Sequence, residues 1–297
     1  MDRFEFGALV ASLREDLRWT QLELAERSGV DVAAISNIER GARRNLLKDN
    51  VLVKLADALR LTTFERQEFL FSASGVGHAD MLRNGSETVK SNFDPSSFIE
   101  SMGEAIGRIT LPVLVTDAFC DMLLVNRSLF EFYHAPQALL ETAEGGVSGF
   151  NQMRYVFHKD SNFRDLIGHE RWDHFALLNA RYFRRRTLRV RSHPYFAALL
   201  NELLDEKTYP SFQACWRRMV FESHDEYHVT FGAREGEGNR DFVALESLLA
   251  LTPYGDLYLQ QLLPLNKSSA DNMHAIADKA GEGYIALAPF PDKRKWG

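Results

Sequence analysis

The chain has 297 residues, long enough for two domains, and its 45% hydrophobic and 26% charged residues are an ordinary globular mix. Its two cysteines, Cys120 and Cys215, sit in no CxxC setting, which excludes a disulfide scaffold and a thiolate zinc site and suits a reducing compartment. The net charge is −6, and residues 1–72 hold 11 Lys/Arg against 12 Asp/Glu, so nucleic acid cannot be held by bulk charge and would need a local basic patch. No run approaches the length of a membrane span, and the N-terminus lacks the layout of a signal peptide, so a cytoplasmic protein is expected.

Residues 4–71 read as five short helices. The first sets Phe6, Val10, Leu13 and Leu17 on one face. The second is opened by a capping box, Thr20 with Glu23, and closed by Gly29. Asp31 caps a third helix, 32–40, which stops at Gly41. A fourth, about 49–60, buries Leu52, Leu55, Ala56 and Leu59, and a fifth runs from Thr63 to about Phe71. Residues 73–95 are rich in Ser, Gly and Asn and read as a linker.

From residue 96 the pattern is mixed. Residues 97–107 read as a helix, Pro112–Asp117 and Cys120–Val125 as a strand pair, and Asn126 as the cap of a helix holding Leu129, Phe130 and Tyr133. Residues 151–220 look largely helical. Strands are expected at 227–233, 242–251 and 257–265, with turns at Arg234–Asp241 and Thr252–Asp256, as an antiparallel meander. The expected organisation is an N-terminal all-α bundle (1–72), a linker (73–95), an α+β domain of antiparallel sheet with flanking helices (96–275), and a tail (276–297).

Helix 32–40 has what a DNA-reading helix needs: Ile35 and Ile38 point inward, while Val32, Ala33, Ala34 and Asn37 offer a narrow outer face. Asn can pair with adenine, and Ala or Val can meet a thymine methyl. Without Arg on that face, strong guanine reading is not expected. Arg40, Arg43, Arg44 and Lys48 follow as phosphate partners, and Gln21 opens the preceding helix. The stretch from Leu13 to Gly41 resembles the XRE, or lambda-repressor-like, helix-turn-helix in Thr20-Gln21, Leu24-Ala25, Gly29-Val30, Ile35-Ser36 and Ile38-Glu39-Arg40-Gly41. The resemblance implies that Gln21 clamps the DNA backbone, that Val32, Ala33 and Asn37 face bases, and that Ser36 and Glu39 support the fold and backbone contacts. A helical bundle without a DNA role is the competing reading.

Catalytic patterns fail in the second domain. HERWDH at 169–174 has the wrong histidine spacing for a zinc helix. HDEYH at 224–228 borders a strand, where residues four apart lie about 13 Å apart. GGVSGF at 145–150 is no nucleophile elbow, and REGEGNR at 234–240 is no P-loop. No enzyme, metal site or cofactor is therefore expected. Arg181, Arg184, Arg185, Arg186, Arg189 and Arg191 form a basic cluster, read as a solvated helix face in preference to a second DNA contact or an anion site.

The helix, strand pair, Asn-led helix and terminal meander suggest a PAS-like sensor. Residues 59–71, 113–133, 151–157, 210–219 and the closing strands resemble the MmyB-like regulators. That resemblance implies a PAS-like domain binding a fatty acid, although the helix-turn-helix here has the plainer XRE form. A fatty acid needs apolar walls and a carboxylate partner. Leu124, Phe130, Tyr133, Met153, Phe157, Trp172, Phe175 and Trp216 are the candidate walls, and Arg154, His158 and Arg181 the candidate carboxylate partners. Ordinary core packing competes for each wall residue, and a structural ion pair for Arg154. The sequence reading is a ligand-responsive regulator binding duplex DNA as a homodimer, with no membrane partner. Its alternative is a PAS-like module for dimerisation or protein contact without a small molecule.

Overall fold

The computed structural model describes residues 2–42, 47–74, 94–134, 141, 149–218, 228–231, 240–252 and 255–290. They divide into two compact units. One comprises residues 1–89, 184–197 and 219–221, and the other comprises the rest.

Local capping defines the helices of the first unit. Asp2 and Glu5 form a capping box on α1 (Arg3–Asp16). Thr20 and Glu23 do the same for α2 (Gln21–Ser28), which ends on Gly29 at φ +62°. The Asp31 carboxylate accepts from the amides of Ala33 and Ala34 to open α3 (Val32–Glu39). After α4 (Asp49–Ala58), Thr62 and Glu65 cap α5 (Thr63–Ala73). Leu9, Leu24, Ile35, Leu55 and Phe69 are fully buried between these helices. Gly7 lets α1 approach the end of α3: a Cβ there would lie 2.6 Å from the Glu39 carbonyl oxygen and as close to that of Ile38.

The first unit also contains a piece of chain that sequence reading assigned to the second domain. Leu188, in the 3-10 turn Leu188–Val190, is buried in the same apolar core as α1 to α5. The difference corrects the basic cluster as well. Arg184, Arg186 and Arg191 are buried rather than solvated. Composition alone cannot reveal this, because Glu65, the acid that pairs with Arg184 and Arg191, lies more than a hundred residues away.

In the second unit, α6 (Pro95–Gly107) precedes β1 (Val113–Thr116) and β2 (Met122–Asn126), which pair antiparallel. Asn126 caps α7 (Arg127–Tyr133) and does more than cap. Its Oδ1 accepts from the amides of Val113 and Leu129, and its Nδ2 donates to the carbonyls of Ile109 and Leu111. The helical stretch follows as α8 (Gln152–Phe157), α9 (Phe163–Ile167), α10 (His169–Arg186), α11 (Pro194–Leu203) and α12 (Phe212–Arg217). The chain closes with β3 (His228–Phe231), β4 (Arg240–Thr252), β5 (Gly255–Pro264), α13 (Lys267–Ala280) and β6 (Tyr284–Ala286). The sheet order is β3-β4-β5-β1-β2-β6, antiparallel throughout.

Two further expectations need correction. Arg240, Asp241, Thr252 and Asp256, read as turn residues, are paired within strands. Residues 276–286, read as tail, finish α13 and form β6, which pairs with β2. Asn266 caps α13 through the Ser269 amide, a local signal that sequence reading passed over. The expected linker lies mostly outside the described residues, as do residues 145–148, 224–227 and 234–239 of the dismissed motifs.

Candidate DNA-reading helix and ligand-binding core

The outer face of α3 carries Val32 and Ala33 exposed, with Ala34, Ser36 and Asn37 half-buried. Exposed Arg40 folds back along the helix, where its Nη2 donates to Asn37 Oδ1 at 2.8 Å and its Nε to the Ser36 carbonyl at 3.2 Å. The same oxygen of Asn37 would accept from an adenine amino group, so Arg40 sets the orientation of that amide. Lys48 is exposed at the start of α4. Arg43 and Arg44 lie outside the described residues.

A charged triangle fixes α3 against α1 and α2. Arg14 Nε and Nη2 reach Glu39 Oε1 and Oε2 at 2.7 and 3.0 Å, and Gln21 Nε2 donates to Oε2 at 2.8 Å. Arg14 Nη1 also donates to the Trp19 carbonyl at 2.6 Å, across the start of the turn into α2. The forked geometry suits arginine and not lysine. The Glu39 partnership, more than the cost of burial, raises the Arg14 pKa above its ordinary value. Sequence reading gave Glu39 a supporting role but missed Arg14, its principal partner 25 residues away.

In the second unit, five of the eight candidate walls join one chain of aromatic contacts. Tyr133 meets Phe163 at 4.9 Å between ring centroids, and Phe163 stacks on Phe175 at 5.7 Å. Phe175 touches Trp172, Trp172 touches Phe157, and Phe157 packs on Phe212 at 5.1 Å. Trp216 stacks on Phe212 at 5.8 Å and meets Phe183 at the same separation. Trp172 is buried, and its Nε1–H has no hydrogen-bond acceptor among the described residues. Met153 is fully buried, and Phe130 is half-buried. Leu124 belongs elsewhere: it packs with Ile106, Val113, Val115, Leu123 and Leu257.

Of the charged candidates, Arg154 is engaged within the protein. Its Nε lies 2.7 Å from Glu202 Oε1 and 2.9 Å from the Tyr209 hydroxyl, and its Nη1 donates to the Gly149 carbonyl. His158 is buried, and desolvation lowers its pKa, which favours the neutral ring. Its Nδ1 accepts from the Asp160 amide. Arg181 is half-buried. Sequence reading missed Tyr155, Phe163, Phe183 and Phe212. For Phe183 a signal existed, since Trp172, Phe175, Ala176 and Phe183 follow helical spacing on α10. Among the described residues, no group of three or more His, Cys, Asp or Glu is arranged to hold a metal ion.

The chain matches two family models. Residues 10–65 match the helix-turn-helix family, and residues 105–248 match the MmyB-like transcription regulator ligand binding domain. No curated protein matches it. Among the described residues, no helix is long and apolar enough to cross a membrane.

Proposed function

We propose, starting from a chain that is a DNA-binding transcription regulator with a MmyB-like ligand-binding domain, that this domain takes an apolar ligand of the fatty-acid class and that occupancy sets operator affinity. The observation that carries this reading is the aromatic chain from half-buried Tyr133 through buried Phe163 to Trp216, with the unmatched donor of Trp172 inside it. An apolar body with one acceptor at its end complements that lining. Arg154 serves as a structural partner of Glu202 and Tyr209 in this account, so carboxylate recognition falls to Trp172, His158 or Arg181. Gln21, Val32, Ala33, Ala34, Ser36, Asn37, Arg40, Arg43, Arg44 and Lys48 supply the DNA contacts. Two copies place their α3 helices about 34 Å apart on a pseudo-palindromic operator.

The test is mass spectrometry of lipid released from the purified, denatured protein, with thermal stability measured against added palmitate. Released fatty acid and a raised melting temperature are expected. A protein that carries none and is not stabilised overturns the ligand reading. Exposed Leu245 and Leu248 on β4 favour a second reading, in which the sheet contacts another protein. In that case L245E/L248E changes the sedimentation of the chain or of its complexes while lipid binding stays absent.

A further inference from the structure

The first unit is incomplete without residues 184–193, and the reason is electrostatic. Glu65 is 1% exposed and uses both carboxylate oxygens. Its Oε2 accepts from the backbone and hydroxyl of Thr62 in the α5 capping box, each at 3.0 Å. Its Oε1 takes Arg184 Nε at 3.2 Å and Arg191 Nη2 at 3.1 Å. Arg191, itself fully buried, also reaches Asp16 at the end of α1 at 3.5 Å and donates to the Arg184 carbonyl at 3.0 Å. Ser12 Oγ donates to the Arg191 carbonyl at 3.3 Å, and Arg189 pairs with Glu68 at 2.6 Å while lying over the Phe71 ring. One returning segment therefore ties α1 to α5.

That segment also changes the sign of the unit's charge. Residues 1–89 hold 12 Lys/Arg and 14 Asp/Glu, a net of −2. Residues 184–197 add five Arg and no acid, which brings the unit to +3 and leaves the second unit at −9. The residue before Arg184 is Phe183, fully buried in the aromatic chain against Phe212 and Trp216. One peptide bond thus separates a group packed in the ligand-binding core from a group bound to Glu65.

We propose that Phe183–Arg184 is a relay and residues 184–193 a clamp: packing around Phe183 sets how firmly Arg184 and Arg191 hold α1 and α5, and so sets operator affinity. The proposal rests on the chain being a DNA-binding regulator and not on the identity of any ligand. A bound ligand acts on operator affinity by altering the packing around Phe183.

The test uses the full chain, a duplex selected by the parent protein from a random pool, and hydrogen–deuterium exchange of Arg3–Asp16 and Thr63–Ala73. E65Q makes the unit more positive, so bulk charge alone predicts tighter binding. The clamp predicts weaker binding, on the order of tenfold, with faster exchange in both helices. R191K preserves charge and loses the fork, and the same direction is expected. It decides the matter if E65Q does not fold. F183L, which leaves every charged group named in place, is expected to shift both readouts as well. Parent-like binding and exchange in R191K, or tighter binding by a folded E65Q, overturns the clamp. Parent-like F183L overturns the relay. A parent that selects no duplex overturns the DNA reading, and exchange alone then decides the clamp and the relay.

Discussion

Glu39 offers the sharpest quantitative test of the helix-turn-helix, because its side chain is 6% exposed and faces an Arg14 side chain that is 11% exposed. Replacing it by Ala removes three charge-assisted hydrogen bonds, two from Arg14 and one from Gln21. Each is worth about 1.5–3 kcal/mol, and opening a buried pair by removing one partner costs about 3–5 kcal/mol. Slight solvent access lets water reach Arg14, so about 3 kcal/mol of destabilisation is expected for E39A. R14A should cost somewhat less, and the double variant should fall short of the sum by about 2 kcal/mol. With roughly 4–8 °C of melting temperature per kcal/mol in a unit of this size, E39A lowers the midpoint by roughly 12–24 °C. The two units need not melt together, so the assay must report on the first alone. Fluorine NMR of 5-fluorotryptophan does this, because Trp19 is the first unit's own tryptophan and its carbonyl accepts from Arg14. A coupling energy below about 0.5 kcal/mol would refute the claim that this triangle fixes α3.

G7A places a methyl group against the carbonyl oxygens of Ile38 and Glu39 and should cost about 1–3 kcal/mol of first-unit stability, with operator binding lost in parallel. Denaturant titration together with a gel-shift measurement checks it. N37A should weaken operator binding by about 1–3 kcal/mol and relax preference at one base position, read by competition among single-base operator variants. N126A leaves two amides and two carbonyls of the β1–α7 region without their partner and should cost about 3 kcal/mol, measured by urea unfolding of the second unit. Burial lowers the His158 pKa below its ordinary 6.5, so its stabilising contribution is present above pH 6.5 and is lost as pH falls towards the folded-state value. H158Q should therefore flatten the fall in second-unit stability below about pH 6.5, and equal slopes in parent and variant would contradict this.

The first five helices were legible because their signals are local. Thr20 with Glu23, Asp31 and Gly29 each act within three residues, and the structure places every one at a helix boundary. The same holds for Asn126, read correctly as a cap from its place before Leu129 and Phe130. What pattern could not show is the set of long-range bonds that the same side chain makes, to the Val113 amide and the Ile109 and Leu111 carbonyls. β6 escaped for a related reason: three residues flanked by Gly283 have no alternation to read, and only pairing with β2 makes them a strand. In the candidate ligand core Trp172 and Phe175 of α10 were found, while Phe163 and Phe212, which bridge the chain of rings, sit on five- and six-residue helices too short to display a period.

The basic cluster shows where reading by segments breaks down. Sequence reading found residues 1–72 nearly neutral and concluded that DNA binding could not come from bulk charge. It also found six arginines between 181 and 191 and assigned them to a solvated face. Each observation is correct, but the solvated-face conclusion fails because the folded unit is not a contiguous stretch of sequence and buries Arg184, Arg186 and Arg191. Glu65 is needed twice, by Thr62 as a local cap and by Arg184 and Arg191 as a buried counter-charge. Only the first use leaves a local trace. Desolvation pushes the Glu65 pKa up, but the two guanidinium groups and the Thr62 hydrogen bonds together outweigh it and hold the carboxylate below its ordinary range. The negative charge on which the clamp depends is thus kept in place jointly by its own helix cap and by the segment it binds. The first unit is net positive only with residues 184–197 counted in it, so under the clamp proposal its electrostatics and its regulation rest on the same bonds.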